Sequence, residues 1–179
     1  EVLRTLLNTD TESSNDFGKD VIPAALKHNL KIVSHRFDGY FKDVGTVESL
    51  FAANMDLIDK PQFLKLHEYK DWPIYTKSSN LPPHHIQGET SVTNSLISDG
   101  CLINGTINRS IISSGTFIDE GCRIENSIIY SNATIKRNSV VENAIILQDT
   151  LVPENTILKF KKVTIVDNEL LWKLGDSNE

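Results

Sequence analysis

Apolar residues in the second half of the chain recur at spacings of six, six and five: Ile112, Ile118, Ile124, Ile129, Ile135, Val141, Ile146, Val152 and Leu158. A small residue stands two positions before each of them: Ser110, Thr116, Cys122, Ser127, Ala133, Ser139, Ala144, Thr150 and Thr156. The pattern returns every 17 residues, aligning Ile112 with Ile129 and Ile146, and Ile118 with Ile135 and Val152. A short β-branched step followed by a tight corner, three times per turn, makes a triangular coil. Aliphatic side chains stack inside it, and small residues sit where the chain turns. The first turn is less regular, with 15 residues between Ile97 and Ile112, and reads as an atypical capping turn.

This spacing resembles the hexapeptide repeat of left-handed parallel β-helices. Such a ladder is by itself a scaffold. Many hexapeptide-repeat proteins are acyltransferases that use a histidine in or near the coil as general base. Here His28, His35, His67, His84 and His85 all precede the repeat as read from the sequence, which removes most support for acyl transfer.

Residues 1–58 show helical and hairpin signals in place of repeats. Lys31 to Phe37 has a β-type pattern, Asp38-Gly39 is a turn dipeptide of two-residue hairpins, and Tyr40-Phe41 would begin the return strand. Thr46 then suits a helix N-cap, Glu48 lies in the first turn where the helix dipole favours an acid, and Val47, Leu50, Phe51, Asn54, Leu57 and Ile58 continue at helical spacing. Asp43 falls in the turn between strand and helix, a common location for ligand-binding residues in α/β proteins. A second turn at Asp16 to Asp20 precedes a helix starting near Ile22 or Pro23 and running to about His28.

With 179 residues, 39% of them hydrophobic, the chain can bury a real core. Its net charge of −6 argues against a nucleic-acid groove, and no apolar run approaches the length of a membrane span. Cys101 and Cys122 fall at small-residue corners on different faces of the coil, which suits reduced packing thiols in a cytoplasmic protein.

Three motifs carry a closer resemblance: Asn15 to Pro23 (NDFGKDVIP), Gly39 to Thr46 (GYFKDVGT) and Ala53 to Leu57 (ANMDL). Succeeded by Asp71 to Thr76 and Leu81-Pro82-Pro83 and then the coil, they resemble consecutive motifs of the glucose-1-phosphate adenylyltransferases, the ADP-glucose pyrophosphorylases. That resemblance implies a mainly β fold, with a left-handed β-helix preceded by the C-terminal part of an α/β nucleotidyltransferase domain. The family's Gly-rich nucleotide loop and its Glu-Lys-Pro sugar-phosphate motif do not occur here, so the chain resembles the C-terminal half of the enzyme. Alone it is expected neither to make ADP-glucose nor to bind ATP tightly.

The family's reaction takes ATP and glucose 1-phosphate to ADP-glucose and pyrophosphate for glycogen synthesis, with Mg²⁺ on the phosphates. By resemblance Asp43 is a catalytic residue and one of two Mg²⁺ carboxylates. Asp16 and Phe17 line the glucose 1-phosphate pocket. Phe41 stands where the family usually has Trp, keeping an aromatic surface without an N–H donor. The resemblance also implies a homo- or heterotetramer, with the coil serving subunit association and allosteric control by anionic metabolites. Lys161-Lys162 and Arg109 read as plain surface. The expected organisation is an incomplete catalytic domain at 1–58, an extended linker at 59–90 pinned by Trp72 and Tyr75, the β-helix at 91–160, and a terminal hairpin and tail at 161–179. Two other readings remain open: a regulatory or assembly subunit of the same enzyme, or a nucleotidyltransferase acting on another sugar phosphate.

Overall fold

The computed structural model describes residues 1–9, 16–64 and 80–176, which form two compact units, Glu1–Gly39 and Tyr40–Glu179. The turn around Asp71 to Thr76, with Trp72 and Tyr75, lies outside the described residues, as does Asn15.

The first unit is helical. Helix α1 spans Val2–Thr9, a π-helical turn covers Phe17–Val21, and α2 runs over Ile22–Lys27. Pro23 falls in the first turn of α2, where its missing N–H costs no intrahelical bond, and Val21 and Ala25 are buried. The strand expected over Lys31 to Phe37 does not form, nor does the hairpin at Asp38-Gly39. The described elements of this unit are all helical, so no neighbouring edge is present to accept that strand's ladder, and an isolated hairpin is marginal in water.

The second unit is a parallel β-solenoid with helix α3 (Val47–Asp59) laid on one side and the single turn α4 (Pro61–Leu64) after it. Its first face stacks β1 (His85–Ile86), β4 (Leu102–Ile103), β7 (Phe117–Ile118), β10 (Thr134–Ile135) and β12 (Leu151–Val152). The second face stacks β2 (Val92–Thr93), β5 (Thr106–Asn108), β8 (Arg123–Glu125) and the first halves of β11 (Val140–Ile146) and β13 (Ile157–Val166). The third holds β3 (Leu96–Ile97), β6 (Ile111–Ile112), β9 (Ile128–Ile129) and the second halves of β11 and β13. The sequence columns become interior stacks: Ile112, Ile129 and Ile146 on one face and Ile118, Ile135 and Val152 on another are all fully buried.

The corners are built from two adjacent positions. A left-handed residue opens the corners at Asn94, Arg109, Asn126 and Asn143 along one edge and at Asn138 and Asn155 along another. Asn tolerates that region because its short side chain hydrogen-bonds locally. The small residue next to it points inward, and Ser110 Oγ accepts from the Ser127 amide at 3.1 Å while Ser127 Oγ accepts from the Ala144 amide at 3.2 Å.

Several expectations about the coil and its two ends are corrected. It begins earlier than residue 91, because β1 pairs in register with β4, so the irregular turn is internal and not a cap. The shortfall lies between Ile103 and Ile107, four apart in place of six, at the corner Asn104-Gly105. His85 is thereby an exposed residue of the coil itself. At the other end, β13 continues the solenoid with a three-residue insertion, since Glu142 pairs with Lys159 but Ala144 with Thr164. After β13 the chain enters helix α5 (Asn168–Asp176), not a hairpin. Asp167 Oδ1 accepts from the Leu170 amide at 2.8 Å to start it, and Leu170 and Leu171 pack against the end of the interior stack, which a helix closes where a strand would leave it open.

Candidate functional site

The chain from Tyr40 to Gly45 has no regular secondary structure, and its side chains divide between two environments. Tyr40 and Lys42 turn toward α3, and Phe41 and Asp43 turn outward. Phe41 is 82% exposed, and Asp43 is exposed with no hydrogen bond or ion pair among the described residues. Gly45, two residues on, places no side chain over the Asp43 carboxylate, whose Oδ1 lies 3.6 Å from where a Cβ would stand. Thr46 ends the segment as the N-cap of α3: its Oγ1 accepts from the Ser49 amide at 3.1 Å, and Ser49 Oγ accepts from the Thr46 amide at 3.0 Å.

On the helix side, Lys42 Nζ lies 2.7 Å and the Tyr40 hydroxyl 2.9 Å from Asp56 Oδ2, and Lys60 Nζ lies 3.0 Å from Asp56 Oδ1. Hydrogen bonds from Lys42 and then Lys60 hold the Asp56 carboxyl well below the ordinary carboxylate range, outweighing the opposite push of burial. Desolvation, and after it the bond to Asp56, raises the Tyr40 hydroxyl. Asp56 was not evident from the sequence, although an acid on the apolar side of a helix, four residues before one lysine and fourteen after another, was a visible signal.

Helix α3 is itself held by the coil. Phe51 and Met55 bury against Ile128 and Ile145, the outward-facing residues of the third face, with Val47, Ile58, Tyr130, Leu147 and Val163 around them. Arg109, expected to be plain surface, donates to Asp59 Oδ2 at 2.6 Å and to Asn126 Oδ1, tying the last turn of α3 to a coil corner.

In the first unit, Asp16 caps the π-helical turn that Phe17 begins. Its Oδ1 accepts from the Lys19 amide at 2.7 Å, its backbone N–H donates to Asp20 Oδ2 at 3.1 Å, and Phe17 is 55% exposed. Half of the Asp16 carboxylate is thus already engaged in local structure. Among the described residues no three His, Cys, Asp or Glu side chains gather as a metal cluster.

Similarity to known proteins falls in two parts, the first running past Gly39 through α3. Residues 1–60 match the nucleotidyl transferase family model, and residues 81–163 match the model of the GlmU-like C-terminal hexapeptide region. Over 126 residues, 69% of the chain, it is 43% identical to the glucose-1-phosphate adenylyltransferase of Bacillus thuringiensis (strain Al Hakam). The chain is homologous to the glucose-1-phosphate adenylyltransferases. The Bacillus cytotoxicus protein of that name is 41% identical over the same length, and that of Geobacillus stearothermophilus 43% over 118 residues, 66% of the chain. The chain spans about a third of the length of these adenylyltransferases, 33% of the first and 30% of the last. Among the described residues no helix is long and apolar enough to cross a membrane.

Proposed function

We propose that this chain is the C-terminal portion of a cytoplasmic adenylyltransferase that transfers the adenylyl group of ATP to glucose 1-phosphate, releasing ADP-glucose and pyrophosphate. The 43% identity to proteins of that name carries the reading. The geometry of Asp43 supports it. Nucleotidyl transfer needs a hard, unpaired oxygen ligand near the phosphates, and Asp43 is an exposed carboxylate with no cation on it among the described residues, whereas Asp56 is neutralised by two lysines. Mg²⁺, when bound, supplies charge neutralisation and alignment of the phosphates for in-line displacement. Asp43 would hold it, and the sugar-phosphate oxygen bonds to the α-phosphorus as the bond to pyrophosphate breaks.

Phe41, exposed like Asp43, offers a ring for the apolar face of the sugar. Asp16 Oδ2 accepts no hydrogen bond among the described residues and is available to a sugar hydroxyl, with Phe17 beside it. The coil serves association of four subunits and transmits allosteric effects.

The test is pyrophosphate release by the full-length protein that carries this chain, with ATP, glucose 1-phosphate and Mg²⁺. Activity in the wild type that collapses in Asp43→Asn, with the fold intact, supports the reading. A wild type that releases no pyrophosphate refutes it and favours a regulatory subunit.

A further inference from the structure

Among the described residues Asp43 makes no hydrogen bond or ion pair, so its position is set by the segment that carries it. Among the described residues no backbone hydrogen bond engages any residue from Tyr40 to Gly45. The segment lies outside any helix or ladder, and such a piece samples many orientations unless side chains restrain it. Two do. Tyr40 and Lys42, on either side of Phe41, both end on Asp56 Oδ2, at 2.9 and 2.7 Å. At the other end the Thr46 cap fixes the entry into α3. With 40, 42 and 46 held, Phe41 and Asp43 between them are restrained as well, and both stay exposed.

The acceptor is built to stay in place. Asp56 is 6% exposed, its second oxygen is occupied by Lys60 from the next turn, and it sits beside Met55, which is packed on the coil with Phe51. A buried carboxylate with donors on both oxygens is strongly tied to its ionised, bonded state, because removing one partner leaves the other buried and uncompensated. The Arg109–Asp59 pair fixes the same end of α3 to the coil. A continuous physical connection therefore runs from Ile128 and Ile145 through Met55 and Asp56 to Lys42 and the loop.

We propose that Asp56 is the positioning residue of the Asp43 loop, holding it through Lys42 and Tyr40 against a helix whose own location is set by the solenoid. Asp56 touches no substrate and acts through Asp43. The catalytic consequence rests on the adenylyltransferase reading; the restraint on the loop does not.

Two measurements separate them. In this chain, backbone ¹⁵N order parameters of Phe41 to Val44 are expected to fall from about 0.85 to below about 0.6 in Asp56→Asn and in Lys42→Met, while amides of the coil keep theirs. Lys42→Met changes no residue of α3 and leaves Lys60 paired with Asp56, so it covers the case in which Asp56→Asn loosens the helix. Lys42→Arg, which keeps a cation within reach, is expected to restore the wild-type values. In the full-length protein the same two variants should lower kcat by roughly 10- to 100-fold and raise the half-saturating Mg²⁺ concentration, with the KM for ATP little changed, as befits a misplaced ligand. Unchanged order parameters in both variants overturn the proposal, as do unchanged kcat and Mg²⁺ dependence in an active enzyme. If the wild type releases no pyrophosphate, the functional reading fails, and the order parameters alone decide the restraint.

Discussion

Lys42 Nζ and Asp56 Oδ2 lie 2.7 Å apart, joining the segment that carries Asp43 to the protected side of the next helix. The side chains are 28% and 9% exposed, so this pair is shielded on the carboxylate side in a way that surface ion pairs are not. It is also sensitive to acid, because its carboxyl is held well below the ordinary range.

Asp56 has a depressed folded-state pKa, with Lys42 the largest cause and Lys60 the next. Its contribution to stability is complete above the unfolded-state value of about 3.9 and is lost as pH falls from there through the folded-state value. The melting temperature of Asp56→Asn should therefore lie furthest below wild type near neutral pH, and the gap should close below about pH 4. Parallel melting curves for the two proteins from pH 7 to pH 2 would show that the pair contributes nothing through charge.

The coil was legible because its constraint repeats: every turn must fill the same triangular interior, so Ile129 announces Ile112 and Ile146. The corner asparagines obey an equally regular rule, yet it becomes visible only once register places Asn126 and Asn143 in the left-handed region one above the other, with Asn126 Nδ2 donating to Asn143 Oδ1 at 2.5 Å. Arg109 occupies the same ladder, which is why reading it as surface missed its tie to Asp59. Lys31 to Phe37 failed for the opposite reason: its alternation describes a strand, but a strand is only realised against a neighbour. At the candidate site, the exposure of Asp43 arises from its turn. The role of Asp56 depends on Tyr40, Lys42 and Lys60, spread over the segment from 40 to 60, converging on one carboxylate, and no local pattern reports that.

Ile129 is fully buried and paired in register with Ile112 and Ile146. A parallel solenoid cannot close over a missing side chain without breaking the ladders above and below, so the cavity should persist. Ile129→Ala is expected to cost about 2–5 kcal/mol, read as a drop in the urea midpoint with an unchanged slope. A loss well below 1 kcal/mol would mean that the stack relaxes far more than its register implies.

Both cysteines should be chemically silent in the folded protein. Cys101 and Cys122 are buried and unpaired, and burial raises both thiols above their ordinary range, leaving little thiolate at neutral pH. Their Sγ–H groups face backbone carbonyls, Ser113 O at 3.1 Å and Lys136 O at 3.0 Å. Iodoacetamide at pH 7.5 should label neither until denaturant unfolds the coil, when both should react together. Labelling of Cys122 alone in the native state would show that the short corner opens.

That corner gives the sharpest test of the fold. Between Ile103 and Ile107 the chain turns in two fewer residues than at the equivalent corners below, and Gly105 makes the shortcut. A Cβ there would lie 2.8 Å from the Cys122 carbonyl oxygen, 3.0 Å from Cys122 Cβ and 3.1 Å from Ile118 Cγ2. The first of these is backbone fixed within the next turn of the coil, so a methyl group cannot be accommodated by swinging a flexible side chain aside. Gly105→Ala should therefore destabilise by about 1–3 kcal/mol, the range for overpacking. Gly175, in α5, is the control, because a Cβ there meets nothing within 4 Å. In a helix the Ala variant should be neutral or gain up to about 1 kcal/mol. Thermal unfolding of the two variants side by side decides it: a lowered midpoint for Gly105→Ala alone locates the strain at the short corner, and equal midpoints would mean that the turn is not shortened where Gly105 stands.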